Sequence, residues 1–176
     1  MTSGTSALIG FNGRREHEVF SVVCDYLQDR GHHVTYLDAT RTLDPATIQE
    51  LDVLVNKSTR PGSVRSLIRA ERFGVSTWNS ATGVLICAAR PTQLCALAGM
   101  GFETPTVLPG PADEDYVAKS RFHWGPPPTI NGEGDLYEEL LDVEPIDVKY
   151  YLVDTGDDVQ VCLVRATSKL VETEKR

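Results

Sequence analysis

The residue best placed for chemistry is a lysine at the end of a short apolar strand. Asp113, Glu114 and Asp115 lead into Tyr116-Val117-Ala118, and Lys119 follows. A loop rich in glycine and proline comes next, then LYEELL, DVKYYLV, a turn and VQVCLVRA, which carries Arg165. An ammonium on a strand is a compact point charge suited to phosphate. Glycines such as Gly132 and Gly134 let backbone amides approach an anion closely. A strand lysine, a glycine loop, an apolar segment with acids and a hairpin ending in arginine together suit nucleotide phosphates.

Composition narrows the classes. The 176 residues are enough for one large domain or two small ones with a real core. The formal net charge is −8 and the pI about 5.0, which disfavours a nucleic-acid surface. Lysine is scarce, with Lys57, Lys119, Lys149, Lys169 and Lys175 only, so each internal one needs an account. The acidic balance fits a salt-loving host and an ordinary acidic cytoplasmic protein equally. No apolar run reaches the roughly 20 residues needed to cross a bilayer. The polar start MTSGTS reads as a frayed end, with no signal-peptide pattern. Cys24, Cys87, Cys95 and Cys162 have no metal spacing and read as free thiols of a reducing compartment.

The elements that must position these residues fall into two halves. Residues 1–89 alternate strand and helix. Strands are expected at Ala7–Phe11, Val34–Leu37, Val53–Val55 and Val75–Trp78, with helices over Arg14–Asp29, 44–50 and Ser63–Phe73. Short connections of this kind predict a doubly wound parallel sheet, with ligands at the carboxyl ends of its strands. Gly10, Asn12, Gly13, Asp38, Asn56, Lys57 and Asn79 fall there, although G-F-N-G lacks the third glycine of a dinucleotide fingerprint. Residues 90–176 change pattern. A helix in two pieces, the second started by Pro91, leads to strands at Thr106–Leu108, Tyr116–Ser120, Leu136–Leu141, Asp147–Val153 and Val159–Thr167. This half reads as antiparallel α+β, with a polar tail from 168.

The ordered series of residues from Val75 to Arg165 resembles the ATP-grasp superfamily, above all its glutathione-synthetase and ribosomal-protein glutamate-ligase types. Trp78-Asn79-Ser80 is similar to the strand end before the family's linking helix. Pro91 to Pro105 is similar to its helix and turn, and Tyr116-Val117-Ala118-Lys119 to its phosphate-lysine strand. Gly125–Gly134 stands at its glycine-rich loop, Glu138-Glu139-Leu140-Leu141 at its adenine hinge, Asp147-Val148-Lys149 at its "D-i-R" and Arg165 at its strand-end arginine. The resemblance implies a pre-grasp α/β domain (1–89) and a partial ATP-grasp domain (90–176). It implies ATP with Mg²⁺, and ADP-forming ligation of a carboxylate to an amine through an acyl phosphate. Lys119, Arg90, Gly132 and Gly134 would meet phosphates. Glu139 would meet the ribose, with Glu138, Leu140 and Leu141 beside the adenine. Lys149 and Arg165 would converge on the γ-phosphate.

The sequence departs from the family in two places. Arg90 stands where a first phosphate lysine belongs, and no strands carrying an E-x-N metal set follow Arg165. Metal ligands are therefore unassigned; Asp154, Asp157 and Asp158 in the hairpin are a weak substitute. The alternative function is a degenerate, non-catalytic relative that binds nucleotide or a protein partner. A sheet edge left open after Val159–Thr167 predicts a homodimer or a partner chain there. A third reading is a simple ligand binder using the first half alone.

Overall fold

The computed structural model describes residues 6–13, 18–144, 146–154 and 157–167. Its chain divides into two compact units. One runs to Gly101 and takes in Phe122–Trp124; the other comprises Phe102–Arg121 and the described residues from Gly125 onward.

The first unit is a parallel α/β sheet. β1 (Leu8–Asn12), β2 (His33–Leu37), β3 (Val53–Asn56) and β4 (Ser76–Trp78) lie in the order β2-β1-β3-β4, all parallel. Strands buried on both faces need continuous apolar runs, and LIGF and VLV supply them. α1 (Glu18–Asp29), α2 (Pro45–Gln49), α3 (Pro61–Arg72), α4 (Ala81–Ala88) and α5 (Arg90–Gly99) complete the unit. The core joins Ile48, Leu51, Leu54, Val64 and Leu67 with Ala70, Ala81 and Val84. The two-piece helix breaks at Ala89, whose extended backbone (φ −104°, ψ 115°) lets Pro91 begin a new helix. Gly31 ends α1 at φ +86°, a conformation that costs glycine nothing.

α1 leaves Val19, Val22, Val23 and Tyr26 exposed. Residues 14–17 of that expected helix lie outside the described residues. Cys24 is buried, whereas Val19, Val23 and Tyr26 are exposed although they recur at helical spacing. Helical period alone does not say which apolar side chains find a neighbour.

α2 is capped as its sequence requires. Asp44 accepts from the Thr47 amide at 2.9 Å, with Pro45 at the first helical position. Hydrogen bonds from the Thr47 hydroxyl and then its amide hold the Asp44 carboxyl below the usual carboxylate range. A carboxyl lowered in the folded state stabilises fully above its unfolded pKa of about 3.9, and loses that effect as pH falls through the lower folded value. Asp44→Ala should therefore trail the parent protein in urea midpoint by a constant margin near neutral pH. That margin should close below about pH 4, and a margin that widens in acid would contradict the cap.

The second unit is antiparallel. β5 (Val107–Leu108), β6 (Tyr116–Lys119), β7 (Thr129–Ile130) and β8 (Leu136–Glu139) form one sheet, ordered β5-β8-β6-β7. β9 (Ile146–Asp154) and β10 (Val159–Thr167) form a separate two-stranded ribbon. β8 stops at Glu139 rather than reaching Leu141, because Glu139 pairs with Tyr116, the first residue of β6. β7 was not foreseen: the three prolines before it mask a strand that is only two residues long.

Candidate nucleotide site

Period-2 alternation decides what Lys119 meets. Lys119 pairs with Leu136 across β6 and β8, and Val117 pairs with Glu138. Directly paired residues share a face, so Val117, Lys119, Leu136 and Glu138 all project to one side. Val117 and Leu136 are buried there. Lys119 Nζ reaches diagonally and donates to Glu138 Oε2, forming an ion pair in which the glutamate is buried and the lysine keeps a 21% exposed side chain. A charge as buried as that of Glu138 has to be paired. The opposite face carries Tyr116 and Tyr137, edge to face at 5.7 Å, and Glu139.

The loop folds back onto the same lysine through its backbone. The Asp135 amide donates to the Lys119 carbonyl at 3.1 Å. Asp135 also accepts from the Arg121 amide at 2.5 Å, and its carbonyl accepts from Arg121 Nε at 2.8 Å. Gly134 lies so close that an added Cβ would sit 2.7 Å from the Lys119 carbonyl oxygen and 2.9 Å from its nitrogen. At Gly132 an added Cβ would collide with the Thr129 hydroxyl. The Tyr116 hydroxyl donates to the Gly132 carbonyl at 3.3 Å, and Asn131 holds φ +51° at the turn. Gly134→Ala should therefore push the loop off β6 and cost about 1–3 kcal/mol in urea unfolding. An unchanged midpoint would show that the loop yields freely.

The expected site residues separate into several places. Lys119, Gly132, Gly134 and Glu138 come together as described, with Glu138, expected beside the adenine, as the ion-pair partner of the lysine. Glu139 projects from the other face, where its side chain accepts from the Thr106 amide at 2.8 Å. Leu140 and Leu141 follow β8 outside the strand, with Leu141 exposed. Lys149 and Arg165 lie on the ribbon, where Lys149 pairs with Val164 and Arg165 with Val148. Adjacent rungs alternate in face, so within the ribbon the two cations project to opposite sides and do not converge. Arg90 begins α5 in the first unit, and its Nε is buried without a hydrogen-bond partner. Tyr116, Asp135 and Tyr137 were not singled out from sequence. The alternation of Tyr116 with Val117 and of Tyr137 with Leu136 was the available signal. No group of three His, Cys, Asp or Glu gathers among the described residues, and none of the described helices is long and apolar enough to cross a membrane.

No protein-family model matches the chain, and no curated protein matches it in sequence. Solved structures do. A RimK-domain ATP-grasp protein from Sphaerobacter thermophilus superposes with TM-score 0.65 at 15% identity, over 81% of this chain and 68% of its own. N5-carboxyaminoimidazole ribonucleotide synthetase from Thermotoga maritima gives TM-score 0.69 at 15% identity, over 96% of this chain and 57% of its own. The Staphylococcus aureus N5-carboxyaminoimidazole synthetase complexed with ADP gives 0.66 at 16% identity, over 90% and 54%. The chain thus spans little more than half the length of the two synthetases. A parallel α/β unit followed by antiparallel strands, aligned over most of its length with three such proteins, gives this chain the fold of the ATP-grasp superfamily.

Proposed function

We propose that the Lys119 face of the second unit binds the phosphates of ATP, and that the chain serves an ADP-forming carboxylate–amine ligase reaction through an acyl phosphate. The observation that carries this reading is Lys119 itself. Its ammonium is part-exposed, oriented by a buried carboxylate and flanked by a glycine whose missing side chain leaves room against the strand. Similarity in fold to a structure solved with ADP supports it. In the proposed reaction the carboxylate substrate attacks the γ-phosphorus and releases ADP. The amine then attacks the acyl carbon and releases phosphate, with cations stabilising the charge that builds on the transferred group. Among the described residues no metal-ligand set gathers, so no step is assigned to Mg²⁺.

Thermal unfolding with ATP, with ADP and without nucleotide, each with Mg²⁺, tests binding. At a nucleotide concentration 100 times Kd the native state gains about 2.7 kcal/mol, seen as a raised Tm. No shift with either nucleotide would sink the reading. Release of ADP that depends on both a carboxylate and an amine would then test ligation.

A second reading is a nucleotide-binding or protein-interaction module without chemistry. Two observations favour it: the charge of Lys119 is already matched by Glu138, and Lys149 and Arg165 diverge. Binding without turnover would select it. On either reading we propose that the β9–β10 ribbon packs on a second copy or a partner chain. Tyr150, Leu152, Val161 and Leu163 share one exposed apolar face, and a two-stranded ribbon is marginal alone. Sedimentation across a wide concentration range should show association. A monomer throughout, with no partner recovered, would count against it.

A further inference from the structure

We propose that the first unit carries a second, separate binding site, which takes a small anion bearing a flat ring. It is a crevice of about 870 Å³ at the carboxyl ends of β1, β2 and β3, lined by Gly13, Tyr36, Lys57, Arg60 and Trp124 among others. That volume falls within the roughly 300–1,000 Å³ of small-molecule sites. Its place follows from topology. The chain leaves β1 toward β2 on one side and returns to set β3 on the other, so the order β2-β1-β3-β4 reverses direction beside β1. Open parallel sheets take ligands at that reversal, outside the carboxyl ends of the strands.

Charge selects the ligand. Lys57 and Arg60 are exposed cations on the crevice wall, and neither makes an ion pair among the described residues. In a chain of net charge −8, two such cations lining one crevice form a local exception that an anion would complement. Among the described residues the one acid in the lining is Asp38, and it is turned to its own loop. Its Oδ1 accepts from the Thr40 amide at 2.8 Å and hydroxyl at 2.6 Å, and its Oδ2 accepts from Arg41 Nε at 2.9 Å. His123 also lines the crevice, with Nε2 engaged by Gln93 at 3.2 Å.

Shape selects the rest of the ligand. Tyr36 and Trp124 offer ring surfaces, and Trp124 is braced by Phe122, stacked at 4.5 Å and 8° from parallel. Lys57 Nζ lies 4.9 Å from the Phe20 ring centroid, which holds the ammonium over an aromatic wall. Gly13 keeps the space beside it open, since a Cβ there would come within 2.7 Å of the Phe11 ring and 3.4 Å of Lys57 Cβ. No residue of this crevice belongs to the Lys119 site, so the two readings stand or fall separately.

Tryptophan fluorescence tests the proposal. The chain has two tryptophans, so Trp78→Phe leaves Trp124 as the reporter. Titration with phenyl phosphate or benzoate should give a saturable change, whereas inorganic phosphate and phenol should bind at least fivefold more weakly. The tighter of the two ring-bearing anions tells whether the natural ligand carries phosphate or carboxylate. Lys57→Gln and Arg60→Gln, both at exposed positions, should each weaken binding at least fivefold with an unchanged melting curve. The double substitution Lys119→Met with Glu138→Leu should leave it intact. No saturable signal, phenol binding as well as the anions, or a smaller effect of the two glutamine substitutions would overturn the proposal.

Discussion

Lys119→Met should destabilise the protein by about 3–5 kcal/mol, because it leaves the Glu138 carboxylate buried without its counter-charge. Glu138 is 2% exposed, so water cannot take over the role of the ammonium. Pairing Lys119→Met with Glu138→Leu removes both charges and should recover most of the loss, since a buried ion pair is often replaceable by apolar groups of similar volume. The double-mutant cycle read from urea midpoints isolates the coupling. If Lys119→Met alone matches the parent, the ion pair contributes nothing and Lys119 is better described as a solvent-facing charge. The cycle also governs how nucleotide data are read. Lys119→Met weakens the fold and removes the proposed phosphate anchor together. Loss of binding must therefore be judged as the nucleotide-induced Tm shift against the unliganded baseline of each variant, not as absolute Tm.

Leu67→Ala is expected to cost about 2–5 kcal/mol. Leu67 of α3 is fully buried, in one core cluster with Val64 of the same helix, Ile48 of α2 and Leu54 of β3. Truncation opens a cavity at a point where two helices and the sheet meet, so little can collapse to fill it. Leu85→Ala on α4, where the side chain is 48% exposed, should stay within about 0.5 kcal/mol. Urea unfolding of the two variants gives the comparison. Similar losses would mean that the core is centred elsewhere than on α3.

The sequence made the parallel half legible because each of its signals is local. Gly31 and Gly74 close helices, Asp44-Pro45 opens one, and LIGF and VLV are too apolar for anything but buried strands. The two strands of the ribbon were legible for the same reason, as runs rich in β-branched and aromatic residues at DVKYYLV and VQVCLVRA, while the turn expected between them falls mainly on residues 155–156, outside the described residues. The geometry of the candidate site was less so. Lys119 and Glu138 meet only through a diagonal across β6 and β8, and nothing in either strand alone states the pairing register. The convergence of Lys149 and Arg165 on a γ-phosphate was implied by the family resemblance alone, and neither strand by itself says which face each cation takes. A difference of one rung sends them to opposite faces. Glu139 was given a ribose, yet its side chain caps the Thr106 amide, a partner more than thirty positions away in sequence that no local pattern could name.

The short run Phe122–Trp124 has a consequence for how the protein can be divided. The chain passes from the second unit into the first and back again within three residues. Phe122 bridges to Ala89 there, and the His123 amide donates to the Ala88 carbonyl at 3.1 Å. The second unit is therefore interrupted rather than appended, and no single cleavage of the backbone releases either unit whole. A fragment ending at Gly101 would keep all four parallel strands, yet it would lose the tryptophan wall of its own crevice.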